Sequence, residues 1–390
     1  MATRTTTTRT TETGCVPSAD LFALPHADFL FEDLVQAYYD CRKTKRNSAS
    51  ALRFEIALEA NLLQLDAELR TGSYRPGKSI CFVVTHPKHR EVWAADFRDR
   101  IVHHLLYNHV ASSIERRFIA DSCACIPERG TLYAGQRLEA KVRSITSNWK
   151  QPAWYLKCDL ANFFVSIDKR ILRDQMARHI REPWWMMLAE QILMHDPREN
   201  YELRGPRHLL DKVPPHKRLA AQPHHLGLPI GNLSSQFYAN IYLNDLDQFI
   251  KHELHARYYI RYVDDFVLLH QEPAVLNQWL RAISAFLKQH LAAQLNPSKT
   301  IIQPVHRGVD FVGHVIKPWR RSARRRTVRQ AINRVRNVPQ QDLWQTANSY
   351  FGTLTQASHS HGDRVRLAKA VLARGKAVSR DLTKTYKGAA

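Results

Sequence analysis

The apolar positions in the first part of the chain recur with helical spacing from Ala19 to Leu69. Within this stretch, residues 52–69 form one face of a predicted amphipathic helix that ends before Gly72. The members of this face are Leu52, Ile56, Leu58, Leu62, Leu63, Leu65 and Leu69. The pattern therefore predicts that the folded part of the chain begins with helices.

A change to short apolar runs then predicts a β-hairpin. Residues 79–85 and 91–95 have the composition of strands, and residues 87–90 have that of a turn. A helix is predicted from residue 96 to about residue 118. Lys88 and Arg90 would lie at or near the hairpin tip, where cations can bind a triphosphate or a nucleic-acid backbone. The same two residues also fit a solvated turn.

Asp159 lies at the end of a predicted strand over residues 153–159, where apolar and polar residues alternate. A helical pattern follows Asp168. An acid at the carboxyl end of a buried strand is suited to bind a metal ion at the edge of a sheet. It is also suited to cap the helix that follows, and the spacing does not separate these two interpretations.

Residues 258–269, YYIRYVDDFVLL, predict a strand, a tight turn and a second strand around Asp264 and Asp265. Two carboxylates side by side in an apolar hairpin raise each other's pKa unless a cation compensates their charge. Asp is also a favoured turn residue, so this segment alone fits a solvated turn equally well. Together with Asp159, about a hundred residues earlier, the pair meets the requirement of a two-metal phosphoryl-transfer site.

Composition narrows the class of partner. The chain has 57 Lys and Arg against 36 Asp and Glu, a formal charge of +21, which favours a polyanion such as nucleic acid. Its six cysteines include no CxxC pair and indicate a reducing compartment. Residues 1–18 are polar and Thr-rich, which predicts a disordered tail rather than a secretion signal. No stretch reaches the roughly 20 apolar residues of a membrane span. We expect a cytoplasmic protein without membrane contact.

Five segments in a fixed order resemble the successive motifs of reverse transcriptases. They are FFVSID (163–168), GLPIGNLSSQ (227–236), YVDD (262–265), LNPSKT (295–300) and DFVGHVI (310–316). The resemblance covers about residues 50–360. The central motif, residues 227–236, departs from the retroviral and group II intron pattern. Ile230-Gly231 stands where Gln-Gly is usual, and Ser235-Gln236 stands where Ser-Pro is usual. This form, with residues 87–104 before it and 347–359 after it, resembles the reverse transcriptases of diversity-generating retroelements, in the bacterial lineage related to group II introns.

The resemblance implies an α+β right-hand polymerase fold with fingers, palm and helical thumb. The palm, with an antiparallel sheet, is expected over residues 151–316, interrupted by an insertion loop at 195–225. N-terminal helices and fingers are expected over 19–150, and a basic helical thumb and tail over 317–390. The basic residues after Ile316 would face the template and primer backbone.

The resemblance also implies roles for individual residues. Asp159, Asp264 and Asp265 would be the catalytic metal ligands for two Mg²⁺ ions, which Mn²⁺ can replace. Lys299 would help to protonate pyrophosphate, although an exposed turn lysine fits that position too. The residues implied in nucleotide binding are Lys88, Arg90, Arg98, Phe164, Ile230, Gly231 and Gln236. Phe164 would reject a 2′-hydroxyl, although a core aromatic residue fits that position too. The implied primer grip is Phe311, Val312, Gly313 and His314.

Members of this family copy a template RNA into cDNA with errors concentrated at template adenines, and the mutated cDNA replaces a variable region in a target gene. The implied partners are the template RNA, the cDNA or primer, deoxynucleotides and a small basic oligomeric accessory protein. Our hypothesis is that Ile230, together with Arg98, lowers fidelity, since an apolar side chain removes the hydrogen bonds of a Gln amide near the nascent base pair.

Two other functions remain open from the sequence. The first is a phage-defence or otherwise unclassified bacterial reverse transcriptase with the same chemistry. The second is a noncatalytic RNA-binding scaffold with a polymerase shape, which the three intact acids disfavour. No nuclease motif follows Ala347, which argues against an intron-encoded maturase that carries an endonuclease.

Overall fold

A computed structural model describes residues 25–43, 48–85, 88–317 and 320–387. The predicted disordered tail, residues 1–18, lies outside the described residues. Among the described residues, no helix is both long enough and apolar enough to cross a membrane.

The described elements alternate helices with short strands, as the apolar pattern predicts. In chain order they are α1 (Phe31–Arg42), α2 (Ala49–Glu55), α3 (Leu58–Thr71), β1 (Ser79–Val84), β2 (Arg90–Ala94), α4 (Phe97–Glu115), α5 (Thr131–Ile145), β3 (Trp154–Asp159), α6 (Phe163–Ser166), α7 (Lys169–Ala177), α8 (Pro183–Met194), β4 (Tyr201–Arg204), α9 (His208–Asp211), α10 (Leu233–Gln248), β5 (Tyr259–Tyr262), β6 (Asp265–His270), α11 (Pro273–His290), β7 (Ile301–Pro304), β8 (Val309–Phe311), β9 (His314–Lys317), β10 (Arg320–Ala323), α12 (Arg325–Asn337), α13 (Gln340–Thr355) and α14 (His361–Leu372).

A four-stranded antiparallel sheet, in the order β5-β6-β3-β7, lies at the centre of the protein. The middle strands bury apolar side chains on both faces of the sheet, namely Tyr155, Leu156 and Cys158 of β3 and Phe266, Val267, Leu268 and Leu269 of β6. Helix α10 contributes buried side chains along most of its length to the main core beside this sheet. The strands predicted around Asp159 and around residues 258–269 are therefore confirmed.

A second sheet, in the order β2-β1-β4, contains the predicted hairpin and one strand that the sequence analysis missed. Residues 195–225 were expected to form an insertion loop, but β4 within them pairs in parallel with β1. The carboxylate of Glu91 in β2 also accepts a hydrogen bond of 2.7 Å from the backbone N–H of Leu219. The segment is thus built into this sheet.

A third sheet, in the order β10-β9-β8, leads into three helices with a separate apolar core. Helix α12 buries Val328, Ala331 and Val335 against α13 and α14, while its arginines are exposed. This confirms the helices that the sequence predicts after Ile316.

The amphipathic helix predicted over residues 52–69 is only partly confirmed. The predicted helix is interrupted at Ala57, where φ is −128° and ψ is 53°, so α2 and α3 are separate helices. Because of this break, Leu62, Leu65 and Leu69 are buried, while Leu52 and Ile56 are 52% and 85% exposed. Gly72 ends α3 in the left-handed conformation at φ 68°, as its position predicts.

The central motif lies directly against the second sheet. The backbone N–H of Trp93 donates to the Ile230 carbonyl at 2.8 Å, and the N–H of Ala95 donates to Asn232 Oδ1 at 2.9 Å. Gly231 has φ +132°, and a Cβ at this position would lie 3.0 Å from the Trp93 carbonyl oxygen. Glycine at this position therefore allows the backbone of β2 to approach closely.

Gly227 is predicted to be essential where the central motif packs against Leu219 and Val165. Its φ is +90°, and a Cβ would lie 2.5 Å from Leu219 Cδ1 and 3.3 Å from Val165 Cα. Backbone strain and overpacking should together lower the free energy of unfolding of Gly227→Ala by about 2–4 kcal/mol. Gly352→Ala, in α13 with open space around it, should instead gain about 0.5–1 kcal/mol. Urea unfolding of both variants checks this, and a Gly227→Ala protein as stable as the parent would contradict it.

Candidate active site

Three carboxylates meet at one edge of the central sheet. Asp159 is the last residue of β3 and lies directly opposite Asp265, the first residue of β6. Asp264 lies in the turn between β5 and β6, and its carbonyl accepts a hydrogen bond of 3.3 Å from the N–H of Leu160. The structure therefore brings together the three acids that the sequence analysis selected.

Two lysines contact these acids. Lys299 Nζ lies 2.7 Å and 2.8 Å from the two carboxylate oxygens of Asp159. The LNPSKT segment is held in place for this contact, because the N–H of Asn296 donates to the Asp159 carbonyl at 2.8 Å. Lys157 Nζ lies 3.2 Å from Asp265 Oδ2 and donates to the Asp310 carbonyl at 2.8 Å. The sequence analysis missed Lys157, although its position two residues before Asp159 places both side chains on one face of β3.

These cations leave the site with excess negative charge. Burial raises the pKa of the Asp264 carboxyl, and the charge of Asp159 raises it further, against smaller effects of Lys299 and Arg90. Burial raises the pKa of Asp265 to about 6, with Asp159 and Asp264 adding to the effect and Lys157 opposing it. Neighbouring carboxylates that disfavour each other's charge are a site for a cation.

The donor set fits a divalent metal ion. Among the described residues, Asp265 Oδ1 is buried without a hydrogen-bond partner. A buried carboxylate oxygen without a donor is costly unless a cation binds it. Carboxylate oxygens are the ligands that Mg²⁺ and Mn²⁺ prefer. Asp159, Asp264 and Asp265 are therefore the residues that would hold the metal.

Among the described residues, the one group of acids and histidines whose ligand atoms all lie within 4.8 Å of one another is a different one: Asp196, Glu199 and His224. Arg198 already neutralises Asp196 through contacts of 2.5 Å and 2.7 Å, and His224 Nδ1 lies 2.6 Å from it. Although burial raises the pKa of Asp196, these partners hold it well below its usual range. We interpret this group as an ion pair that stabilises residues 195–225.

The predicted nucleotide-binding residues are partly brought to the acids. Arg90, exposed at the start of β2, is close enough for its charge to lower the pKa of Asp264. Lys88 is exposed on the same hairpin. Phe163 is buried while Phe164 is half-buried, with ring centroids 5.3 Å apart, so the two rings have different surroundings as expected.

The central motif presents a small exposed surface beside β2. Gly231 and Gln236 are exposed, and Ile230 is half-buried. The hydrogen bond from the Trp93 N–H to the Ile230 carbonyl fixes the backbone of Ile230 beside β2.

Arg98 is not brought together with Ile230 or the three acids by any contact in the part of the chain that the structure describes. Its guanidinium forms an ion pair with Glu68 in α3 and lies 5.3 Å from the centre of the Tyr74 ring. The share of Arg98 in low fidelity therefore stays a prediction that no contact among the described residues supports. Arg98 contacts the N-terminal helices instead, a tertiary contact that its sequence position does not reveal.

The expected primer grip is also only partly placed at the surface. Phe311 and His314 are buried, and His314 Nδ1 has no partner among the described residues. Burial, with the charges of Arg321 and Arg324, lowers the pKa of His314 to about 4. The half-buried Val312 and Gly313 form the turn between β8 and β9, at φ 43° and 87°. Of the four residues, Val312 and Gly313 therefore have surface that a ligand could reach, and the primer grip itself stays a prediction.

The antiparallel sheet with acids at one edge, flanked by a basic hairpin and a basic helical segment, defines the polymerase class with a right-hand fold. The family model of "Reverse transcriptase (RNA-dependent DNA polymerase)" matches residues 86–316, which is more than half of the chain. The chain belongs to this family. It is an RNA-directed DNA polymerase, which implies an RNA template and nucleotide substrates.

Individual relatives are distant. The chain is 23% identical over 342 residues to Protein YkfC of Escherichia coli K12, covering 78% of this chain and 80% of YkfC. A telomerase from Candida albicans matches with a TM-score of 0.45 and 12% identity over 77% of this chain. A telomerase from Candida tropicalis matches with a TM-score of 0.45 and 11% identity over 68% of this chain. This chain spans only 55% and 60% of those two telomerase chains.

Divalent cations should stabilise the protein through the three acids. At a metal concentration a hundred times the Kd, the expected gain is about 2.7 kcal/mol, measured as a rise in Tm on addition of Mn²⁺. Asp264→Asn should be more stable than the parent without metal, because one repelling charge is gone, and should lose most of the Mn²⁺ response. Asp174→Asn, at a side chain 69% exposed, is the matched control and should keep the response. Equal Mn²⁺ responses in all three proteins would contradict the assignment.

Proposed function

We propose that this reverse transcriptase copies a template RNA into cDNA with errors concentrated at template adenines, as the polymerase of a diversity-generating retroelement. The polymerase activity in this proposal is supported by the pairing of Asp159 opposite Asp265, with Asp264 beside them. It is also supported by Asp265 Oδ1, a buried carboxylate oxygen without a hydrogen-bond donor among the described residues. The proposed low fidelity is supported by the position of Ile230 beside the hairpin that bears Arg90.

In this proposal, Asp159, Asp264 and Asp265 hold two Mg²⁺ or Mn²⁺ ions. Bound divalent ions lower the pKa of an attacking 3′-hydroxyl and stabilise the charge of the leaving pyrophosphate. Arg90 and Lys88 bind the triphosphate, since both are exposed on one hairpin and Arg90 acts on Asp264. The Lys299 side chain is half-exposed, which lets its ammonium group move from Asp159 to a phosphate oxygen and donate a proton there.

Phe164 is proposed to pack against the deoxyribose and exclude a 2′-hydroxyl. Its half-buried ring follows β3 by five residues, and its carbonyl accepts a hydrogen bond of 2.7 Å from the N–H of Leu228. That contact connects it to the central motif, so the sugar-binding and base-pair-binding parts of the site share one main-chain network.

Low fidelity is proposed to follow from the chemistry of the Ile230 side chain. A Gln amide at this position would donate and accept hydrogen bonds next to the nascent base pair, whereas an isoleucine does neither. Losing such contacts removes the penalty that a mispaired geometry would suffer from unsatisfied polar groups. Gly231 and Asn232 keep the loop in place, so the loss concerns selectivity rather than the position of the loop.

We propose that the central sheet and α10 form the palm, that β1, β2 and β4 belong to the fingers, and that α12–α14 form the thumb. The exposed arginines of α12 suit contacts with the template and primer backbone. The proposed partners also include a small basic oligomeric accessory protein. The buried thiols of Cys81, Cys123 and Cys158, which form no disulfide among the described residues, support a reducing, cytoplasmic setting. A template repeat and a variable repeat beside the gene would separate this proposal from a phage-defence or other bacterial reverse transcriptase.

Asp264→Asn should lower the rate of primer extension on an RNA template by about 10³-fold or more, since metal stabilisation of the transition state is worth several kcal/mol. Its affinity for the template–primer should be unchanged. The Asp174→Asn control should extend primers at the parent rate. A parent protein that binds RNA without any metal-dependent extension would instead support a noncatalytic scaffold.

Ile230→Gln should lower misincorporation opposite template adenine by about 3- to 10-fold, which corresponds to one regained hydrogen bond. The measurement is sequencing of cDNA made on a defined RNA template. Ile230→Leu is the matched control, because it keeps an apolar side chain, and it should keep the parent error frequency. An unchanged error frequency in Ile230→Gln, or an equal decrease in both variants, would reject this role of Ile230.

A further inference from the structure

The turn that carries Asp264 contains a strained residue. Val263, which joins β5 to Asp264, has φ +56°, in the left-handed region. A β-branched residue rarely adopts this conformation, because its side chain crowds the backbone there. Such strain persists only when surrounding contacts determine the conformation. Contacts from neighbouring residues must therefore hold the Val263 turn in this conformation.

Arg261, two residues earlier in β5, reaches this turn from the core. Its Nη1 donates to the Val263 carbonyl at 3.0 Å and to Asn240 Oδ1 at 3.2 Å. Its Nη2 donates to Ser122 Oγ at 2.9 Å. The remaining two N–H groups donate to Asp247, at 2.8 Å from Nε and 2.6 Å from Nη2. All five guanidinium donors are thus used, and one of them is used on the turn.

Asp247, in α10, fixes the orientation of this guanidinium. Arg261 and Asp247 are both fully buried, so their ion pair is isolated from water. Tyr259 Oη donates to Asp247 Oδ1 at 2.6 Å and completes the carboxylate's surroundings. A buried ion pair of this kind adds little to the free energy of unfolding, because removing two charges from water is costly. The hydrogen bond from Arg261 to the Val263 carbonyl indicates that the pair holds the turn.

We propose that the Arg261–Asp247 pair is a positioning device that holds the Val263 carbonyl, and with it the turn that places Asp264 beside Asp159 and Asp265. Arg261 is accordingly a positioning residue that acts through Val263 and touches neither substrate nor the three acids. The inference rests on the proposed assignment of Asp264 to catalysis. The contact from Arg261 explains why the strained turn at Val263 keeps its shape.

The fork of the guanidinium explains why this position requires arginine. A lysine has the same charge, but its single ammonium group cannot reach Asp247 and the Val263 carbonyl in the same fixed geometry. Arg261→Lys should therefore keep the charge pair with Asp247 and lose the contact with the turn. A displacement of about 1 Å at a reacting group can lower a rate by about 100-fold.

The test compares Arg261→Lys with Tyr259→Phe in primer extension at saturating Mg²⁺ and at a temperature well below both Tm values. Arg261→Lys should lower kcat by about 10- to 100-fold, while the KM for deoxynucleotide and the affinity for template–primer stay within about twofold. Tyr259→Phe is the matched control, because it removes a hydrogen bond to the same Asp247 without touching the turn. It should lower Tm and leave kcat within about twofold of the parent.

A rescue experiment separates positioning from general destabilisation. Glycine adopts a positive φ without strain, so in a Val263→Gly background the turn should keep its shape without Arg261. There, Arg261→Lys should lower kcat by less than about threefold. Should Arg261→Lys fail to fold, the double variant Arg261→Met, Asp247→Leu removes both buried charges together, a change that proteins often tolerate, and it should show the same kcat loss and the same rescue.

Three outcomes would overturn this inference. One is a parent kcat in Arg261→Lys, and another is an equal kcat loss in Tyr259→Phe. The third is an undiminished loss in the Val263→Gly background. Asp264→Asn in the same assay keeps the two claims apart, since full activity in that variant would reject the catalytic assignment itself, whatever Arg261→Lys does.

Discussion

The central constraint in this protein is the placement of three carboxylates at the edge of a buried antiparallel sheet. Asp159 and Asp265 are paired across β3 and β6, and Asp264 follows from the adjacent turn. Their charges oppose one another, and Lys299 and Lys157 compensate only part of that charge. A slip of one residue in the pairing of β3 with β6 would move Asp265 to the other face of the sheet.

The remaining elements hold the surroundings of these acids. The hairpin of β1 and β2 carries Arg90 towards Asp264 and also binds the backbone of Ile230. The Arg261–Asp247 pair reaches the turn from α10. In our proposal, the acids account for the joining of nucleotides, and the side chain of Ile230 accounts for the choice of nucleotide. Because main-chain contacts position Ile230, this residue can differ between polymerases without any change in the palm.

Much of the site could be predicted from sequence because its signals are local. Apolar runs that end in acids at Asp159 and at Asp264-Asp265 predict strands with charged ends, and the order of the motifs relates them to one active site. Lys157 was missed because a lysine in a strand also fits a solvated face, and only the pairing with β6 shows its partner. Strand β4 was missed because it is short and polar, and its pairing depends on the free edge of β1.

Other expectations stay predictions, because tertiary contacts give these residues surroundings that the sequence does not reveal. Arg98 has the charge to bind a nucleotide but is paired with Glu68, and His314 lies in the core rather than on the surface. Arg261 precedes the acids by three residues, yet its role depends on Asn240 and Asp247 in another element. In each case the spacing along the chain specifies the element, whereas the partner comes from a distant part of the sequence.

The most direct test of the central claim is the error spectrum of cDNA made by the parent protein. An RNA template with the four bases in matched contexts would be copied with Mg²⁺ and all four deoxynucleotides, and errors would be tabulated by template base. The account predicts metal-dependent cDNA with misincorporation concentrated opposite adenine. An even error frequency across the four template bases would contradict it.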